Sequence, residues 1–226
     1  MESNSLLLNE DDVLVANKHH EHLLREVEAE STPIRDLPIN VKRFNPIWAT
    51  RNPQPNRLFT ICTMPWPSNY EGMLWWLREG YEYLQAICLD ITYDIVGAQP
   101  PLSLQQVARL CAGVRLHGYI ANVESFWTCA SALLVPVLTG DAARLEIWKA
   151  MALGVPVIST TVGCEGLTLQ SGEHLLVADT PETLALACAM VLRDKKLAFY
   201  LARNAHQLML ERYNTRSNLP NARYRL

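Results

Sequence analysis

Pro136-Val137-Leu138-Thr139-Gly140-Asp141-Ala142-Ala143-Arg144-Leu145-Glu146-Ile147-Trp148-Lys149-Ala150-Met151-Ala152-Leu153-Gly154-Val155-Pro156-Val157-Ile158-Ser159 is the stretch whose reading decides the fold. An apolar run over 132–136 predicts a buried strand. Gly140 frees the turn that follows, Asp141 is placed to cap, and a helix is expected over 142–153. A second apolar run over 155–159 predicts the next strand. Strand, turn, helix and strand in this order make a parallel βαβ unit. Helix starts carry bare N–H groups, which suit an anion, and the guanidinium fork of Arg144 suits a diphosphate. Leu145, Trp148 and Ala152 share one helix face and are expected to pack on the sheet, leaving Arg144, Glu146 and Lys149 outward or sideways. An ordinary amphipathic helix explains the same spacing without a ligand, and Asp141 reads as a helix cap ahead of a sugar ligand.

The alternation continues on both sides. Strands are expected over 58–62, up to Gly97, over 114–118 and over 174–177. Helices are expected from Asn69, from a Ser103 cap to about 112, over 123–130, over 181–193 and over 195–213. Short continuous apolar strands between helices predict an α/β fold with a doubly wound, Rossmann-like parallel sheet. Ligands in such sheets bind beyond the carboxyl ends of the strands where strand order reverses. The loops after Cys62, Gly97, Pro136 and Ser159 are therefore the candidate binding edge.

Composition narrows the function classes. With 226 residues and 49% hydrophobic residues the chain can bury a full core, and a net charge of −3 argues against a nucleic-acid partner. No apolar run reaches the roughly 18 residues that a transmembrane segment needs, so a soluble, cytoplasmic protein is expected. The six cysteines form no Cys-x-x-Cys pair and sit in or beside apolar runs, as reduced buried thiols do. His19 and His22 could share a helix face, but no further ligands lie nearby, and no metal is expected. Trp75 and Trp76, with Met73 and Leu77, read as a helix buried on the sheet.

The ordered series of motifs closely resembles the C-terminal domain of family 4-type glycosyltransferases of the two-domain GT-B architecture. The clearest matches are Gly140 to Ser159 and Thr161-Val162-Gly163-Cys164-Glu165-Gly166-Leu167. Thr63-Met64-Pro65-Trp66-Pro67 resembles the family's first strand-to-helix loop, and Gly172 to Asp179 also fits. The resemblance implies that a nucleotide-diphosphate sugar binds here as donor substrate, with no metal or other cofactor, for transfer with retention at the anomeric carbon. Its implied donor-binding positions are Thr63, Gly140, Asp141, Arg144, Glu146, Lys149, Gly163 and Glu165. Catalytic groups are expected from an N-terminal domain, so no catalytic residue is assigned.

The same resemblance exposes departures. The family carries Lys where this chain has Glu146, and Glu where it has Lys149. At an effective dielectric near 20 a unit-charge pair at 4 Å is worth about 4 kcal/mol, so reversing its sign is a large effect. An ammonium also cannot accept hydrogen bonds from ribose hydroxyls. Pairing of Glu146 with Lys149 along the helix is the expected local alternative. Residues 1–56 are read as a remnant of the N-terminal domain followed by a crossover linker punctuated by Pro33, Pro38, Pro46, Pro53 and Pro55; residues 57–226 are the donor-binding domain. The expectation is a domain incomplete alone, partnered by a separate acceptor-domain chain or by self-association through Val13–Ala16. The alternative is a non-catalytic descendant kept as a binding or interaction module.

Overall fold

The structure, a computed structural model, describes residues 46–49, 51–62, 64, 67–139 and 145–213. Six strands form one parallel sheet: β1 (Arg57–Ile61), β2 (Thr92–Val96), β3 (Val114–His117), β4 (Ala132–Val135), β5 (Val157–Ser159) and β6 (Leu176–Val177). Their order is β3-β2-β1-β4-β5-β6, so the winding direction reverses between β1 and β4. The central strands are apolar without alternation, as in Leu58-Phe59 and Ala132-Leu133-Leu134-Val135, because helices cover both faces.

One face carries α1 (Pro67–Trp75), a π-helical turn (Trp76–Gly80), α2 (Tyr81–Ile87), α3 (Leu102–Leu110) and α6 (Pro181–Arg193). The other carries α4 (Glu124–Cys129), α5 (Leu145–Leu153) and most of the packing of α7 (Lys195–Tyr213). The π turn has a local cause. Trp76 and Tyr81 stand five residues apart and are both buried, which a regular α-helix would place on divergent faces. The Tyr81 N–H donates to the Trp76 carbonyl, and the wider turn brings both rings inward, edge to face. Met73 and Leu77 are buried beside them.

Several boundaries differ from the sequence expectation. The first helix starts at Pro67, where a missing N–H costs nothing, and not at Asn69. Pro101 holds the N-cap position of α3, so Ser103 lies inside its first turn and caps nothing. Leu145 is 52% exposed, while Ile147, Trp148, Ala150, Met151 and Ala152 are buried. The reason is that α5 is covered by α7 as well as by the sheet, which turns the buried arc away from its first residue. Within α6, by contrast, the start matches the sequence signals: Pro181 follows Thr180, whose hydroxyl accepts from the Thr183 N–H while the Thr180 N–H donates back to the Thr183 hydroxyl.

The stretch before β1 is docked on the domain. Asn52 and Gln54 N–H groups donate to the Thr128 and Cys129 carbonyls at the end of α4. Trp48 packs edge to face on Phe199 and His206 of α7. All six cysteines are free thiols; Cys88 and Cys188 are buried and the others half-buried. Val13–Ala16, His19 and His22 lie outside the described residues.

Candidate functional site

The strand order reverses between β1 and β4, and the carboxyl edge at that point is the candidate crevice. Register pairing of β1 with β2 runs to Ile61 and Val96, and that of β4 with β5 runs to Val135 and Ser159. Pairing of β1 with β4 stops earlier, at Phe59 and Leu133. Beyond that level the register pairing ends, and the buried Thr60 hydroxyl of β1 reaches β4 instead. It lies 2.5 Å from the Leu134 carbonyl, to which it donates, and 2.6 Å from the Tyr93 hydroxyl. Burial drives the Tyr93 phenol well above its ordinary range, so it stays a neutral partner. Behind the crevice α1 presses on the turn after β4: a Cβ on Gly72 would lie 1.7 Å from the Pro136 carbonyl oxygen.

The turn after β5 is stitched to the turn after β4. The Ser159 hydroxyl donates to the Val135 carbonyl at 3.2 Å, and the Thr160 hydroxyl donates to the Val137 carbonyl. The Gly163 N–H donates to the Thr160 hydroxyl at 3.1 Å. Gly163 is buried, and a Cβ there would fall 2.3 Å from the Ser159 hydroxyl and 2.9 Å from the Val135 carbonyl. Thr161 donates through both its N–H and its hydroxyl to the Asp179 carboxylate, at 2.7 and 2.6 Å. Gly163 therefore shapes this edge by close packing. Glu165 follows the same turn and is exposed.

Of the residues singled out from sequence, Thr63, Gly140, Asp141 and Arg144 lie outside the described residues. Glu146 and Lys149 are on the first two turns of α5, both half-buried. Lys149 is turned toward α4. Its ammonium stands 5.1 Å from the centroid of the Trp127 ring. Burial lowers its pKa, and the nearby Glu124 carboxylate offsets part of that. The contact partners of Lys149 are thus on the neighbouring helix, where a cation over an indole contributes about 0.5–2 kcal/mol.

Sequence reasoning missed a charged network beneath α4. Asp94, in the middle of β2, is fully buried. Its carboxylate accepts from Arg57 Nε of β1 and contacts His117 Nε2 of β3, each at 2.7 Å. Arg57 lies over the Phe126 ring and His117 packs edge to face on it. A buried carboxylate must be paired, so Asp94 inside the apolar run 92–96 was the available signal. A separate surface groove of about 640 Å³ between α2 and the start of α6 is lined by Arg78, Glu79, Glu82, Tyr83 and Glu182, away from the crevice residues. Among the described residues, no group of His, Cys, Asp and Glu side chains is placed to hold a metal ion, and no helix is long and apolar enough to cross a membrane.

Comparison with known proteins agrees with this architecture. A TarM mutant from S. aureus, solved with Fondaparinux, alpha-GlcNAc-glycerol and UDP, superposes with a TM-score of 0.74 at 13% identity, covering 90% of this chain and 41% of its own. HepE from Anabaena, solved with UDP-glucose, gives a TM-score of 0.70 at 14% identity over 90% of this chain and 61% of its own. The isolated C-terminal domain of LpcC, a glycosyl transferase group 1 family protein from Francisella tularensis, gives 0.62 at 17% identity, over 77% of this chain and 98% of its own. At these identities the likeness is one of fold. The chain spans about two-fifths of the length of TarM. No curated protein matches the sequence. The family model described as glycosyl transferases group 1 matches residues 55–194, which include the whole crevice and α5. The chain belongs to the glycosyl transferases group 1 family, and its domain has the Rossmann-like α/β fold of GT-B glycosyltransferases.

Proposed function

We propose that the crevice between β1 and β4 binds a nucleotide-diphosphate sugar, and that the domain is the donor-binding half of a retaining glycosyltransferase. The observation that carries this reading is the early end of β1–β4 pairing at the strand-order reversal, with α5 the next helix after β4. That edge is where doubly wound sheets bind nucleotides. Proteins of like fold were solved with UDP or UDP-glucose, which supports a uridine nucleotide as the first donor to test. In this reading Gly140 and Arg144 receive the diphosphate, Thr63 and Asp141 flank it, and Glu165 faces the sugar. Gly163 acts through packing, and Glu146 and Lys149 border the site.

Residues 1–56 belong to the end of an N-terminal domain and the linker, and residues 57–226 are the donor domain. Transfer then requires an acceptor-binding domain facing this edge, in the same polypeptide, in a separate chain or by self-association. Cytoplasmic donor pools fit such a domain, and no cofactor beyond the donor is required. Supplied with its acceptor half, the enzyme gives a product whose anomeric configuration matches that of the donor; inversion would contradict the retaining assignment.

A second reading, a non-catalytic binding module, is favoured by one observation. Lys149, where the sequence resemblance implies Glu, is engaged with Trp127 and Glu124 of α4. Calorimetric titration of the chain with UDP-, GDP- and ADP-sugars separates the two. Micromolar binding of one of them supports the donor reading, and no heat from any of the three supports the second.

A further inference from the structure

Arg51 lies between two helix ends. Its Nη2 donates to the Ala130 and Ser131 carbonyls, at 2.6 and 2.7 Å, just past the last turn of α4. Its Nη1 donates to the Gly154 carbonyl at 3.4 Å, just past the last turn of α5. Trp48 Nε1 donates to the same Gly154 carbonyl at 3.2 Å. Gly154 has φ of +72°, and a Cβ there would lie 2.1 Å from Trp48 Nε1, so both the backbone conformation and the indole require glycine. The described acceptors of Arg51 are all main-chain carbonyls. Burial lowers its pKa to about 10, and its Nε is buried without a partner.

A cation at the carboxyl end of a helix meets the negative pole of the helix dipole and the unpaired last carbonyls. Here one guanidinium serves two helices at once, because its planar fork reaches acceptors on both sides; a lysine ammonium is a point donor and cannot span them. The two helices also meet further along, where Lys149 of α5 lies over Trp127 of α4. The pair α4–α5 is therefore joined at two levels. Its carboxyl end is held by Trp48 and Arg51, which precede β1, while β4, which leads to α5 in the chain, borders the crevice.

We propose that Arg51, assisted by Trp48, is a positioning residue for nucleotide binding: by tying the carboxyl ends of α4 and α5 together, it sets where α5 meets the crevice. The proposal rests on the donor-binding reading above. Arg51 contacts no nucleotide in it and acts through α5. Because residues 48–51 also lead into the domain from the preceding segment, a shift of that segment is transmitted to α5 through the same hydrogen bonds.

The test compares the full chain with Arg51→Ala, Arg51→Lys and a control, Val191→Ala, in the α6 core on the opposite face of the sheet. UDP, GDP and ADP affinities are read by calorimetry, amide hydrogen exchange at Gly154 and Val155 is read without nucleotide, and stability by urea. Arg51→Ala is expected to speed exchange at both amides and to weaken the preferred nucleotide about tenfold. Arg51→Lys is expected to regain stability but not affinity. Val191→Ala is expected to lose stability while its affinity stays within about twofold. If Arg51→Ala fails to fold, Trp48→Phe keeps the ring on Phe199 and His206, removes the donor to Gly154, and carries the same expectations at smaller size. Equal affinity in Arg51→Ala and Val191→Ala, or unchanged exchange at Gly154 and Val155 in a chain that binds nucleotide, overturns the positioning role alone. No binding of any nucleotide by the unaltered chain overturns the donor reading and this role with it.

Discussion

The Lys149 ammonium stands 5.1 Å from the centroid of the Trp127 ring, so α5 is fastened to α4 at the position where the sequence resemblance implies a carboxylate. The sequence alone offered a local pair between Glu146 and Lys149. The structure places the lysine across a helix–helix contact beside Glu124.

This predicts the effect of introducing that carboxylate. Lys149→Glu sets a carboxylate against Glu124 and the negative face of Trp127, and should cost about 1–2 kcal/mol of stability by urea unfolding. Adding Glu124→Lys should recover most of that loss. Glu146→Lys alone, with Lys149 unchanged, should tighten nucleotide binding, and no tightening would contradict the charge argument at Glu146.

Thr60→Val is nearly isosteric but removes the hydroxyl that reaches from β1 to β4. It leaves the Leu134 carbonyl and the Tyr93 hydroxyl short of a buried partner. The expected cost is about 1–3 kcal/mol of unfolding free energy.

Gly163→Ala forces a methyl against the Ser159 hydroxyl and the Val135 carbonyl. The hydroxyl can rotate, but the strand carbonyl cannot, so the substitution should destabilise by about 1–3 kcal/mol. Melting of the Gly163→Ala chain at an unchanged temperature would show that this turn is looser than described.

Stability should fall in alkali. Burial raises the Cys188 thiol far above its free value of 9.0, and raises Cys111 and Cys164 as well. Above pH 9 the unfolded chain releases these protons while the folded chain keeps them. The folded state then binds more protons, so unfolding free energy declines with rising pH, by about 1.4 kcal/mol per pH unit for each thiol fully affected. Lys149 and Arg51, both shifted down by burial, act in the opposite sense only as pH approaches 10, where the raised Tyr81 and Tyr93 phenols join the thiols in lowering stability. Urea midpoints should be level near neutrality and decline above pH 9; midpoints that rise there would contradict the burial of Cys188.

Much of the fold was legible because its signals are local. Apolar runs such as 132–135 mark buried strands, and α6 and α7 have the expected limits because Pro181 and Asp194 punctuate them. Features that depend on what covers an element were not legible. Leu145 is exposed because α7 redirects the buried face of α5. The π turn answers to Trp76 and Tyr81 packing together, and the Arg57–Asp94–His117 network needs three strands in register. At the site, the sequence indicated the right edge of the sheet through the βαβ order. It could not reveal where the pairing of β1 with β4 stops, or the brace from Arg51, whose acceptors are some 80 and 100 residues away along the chain.

The most direct test of the central claim is a map of amide chemical shifts in the full chain on addition of UDP. Donor binding in the crevice predicts saturable changes at Ile61, Cys62, Val137, Leu138 and Gly163, with little change at Glu79, Tyr83 and Glu182 in the groove between α2 and α6. Changes confined to that groove, or none at saturating UDP, GDP and ADP, would contradict it.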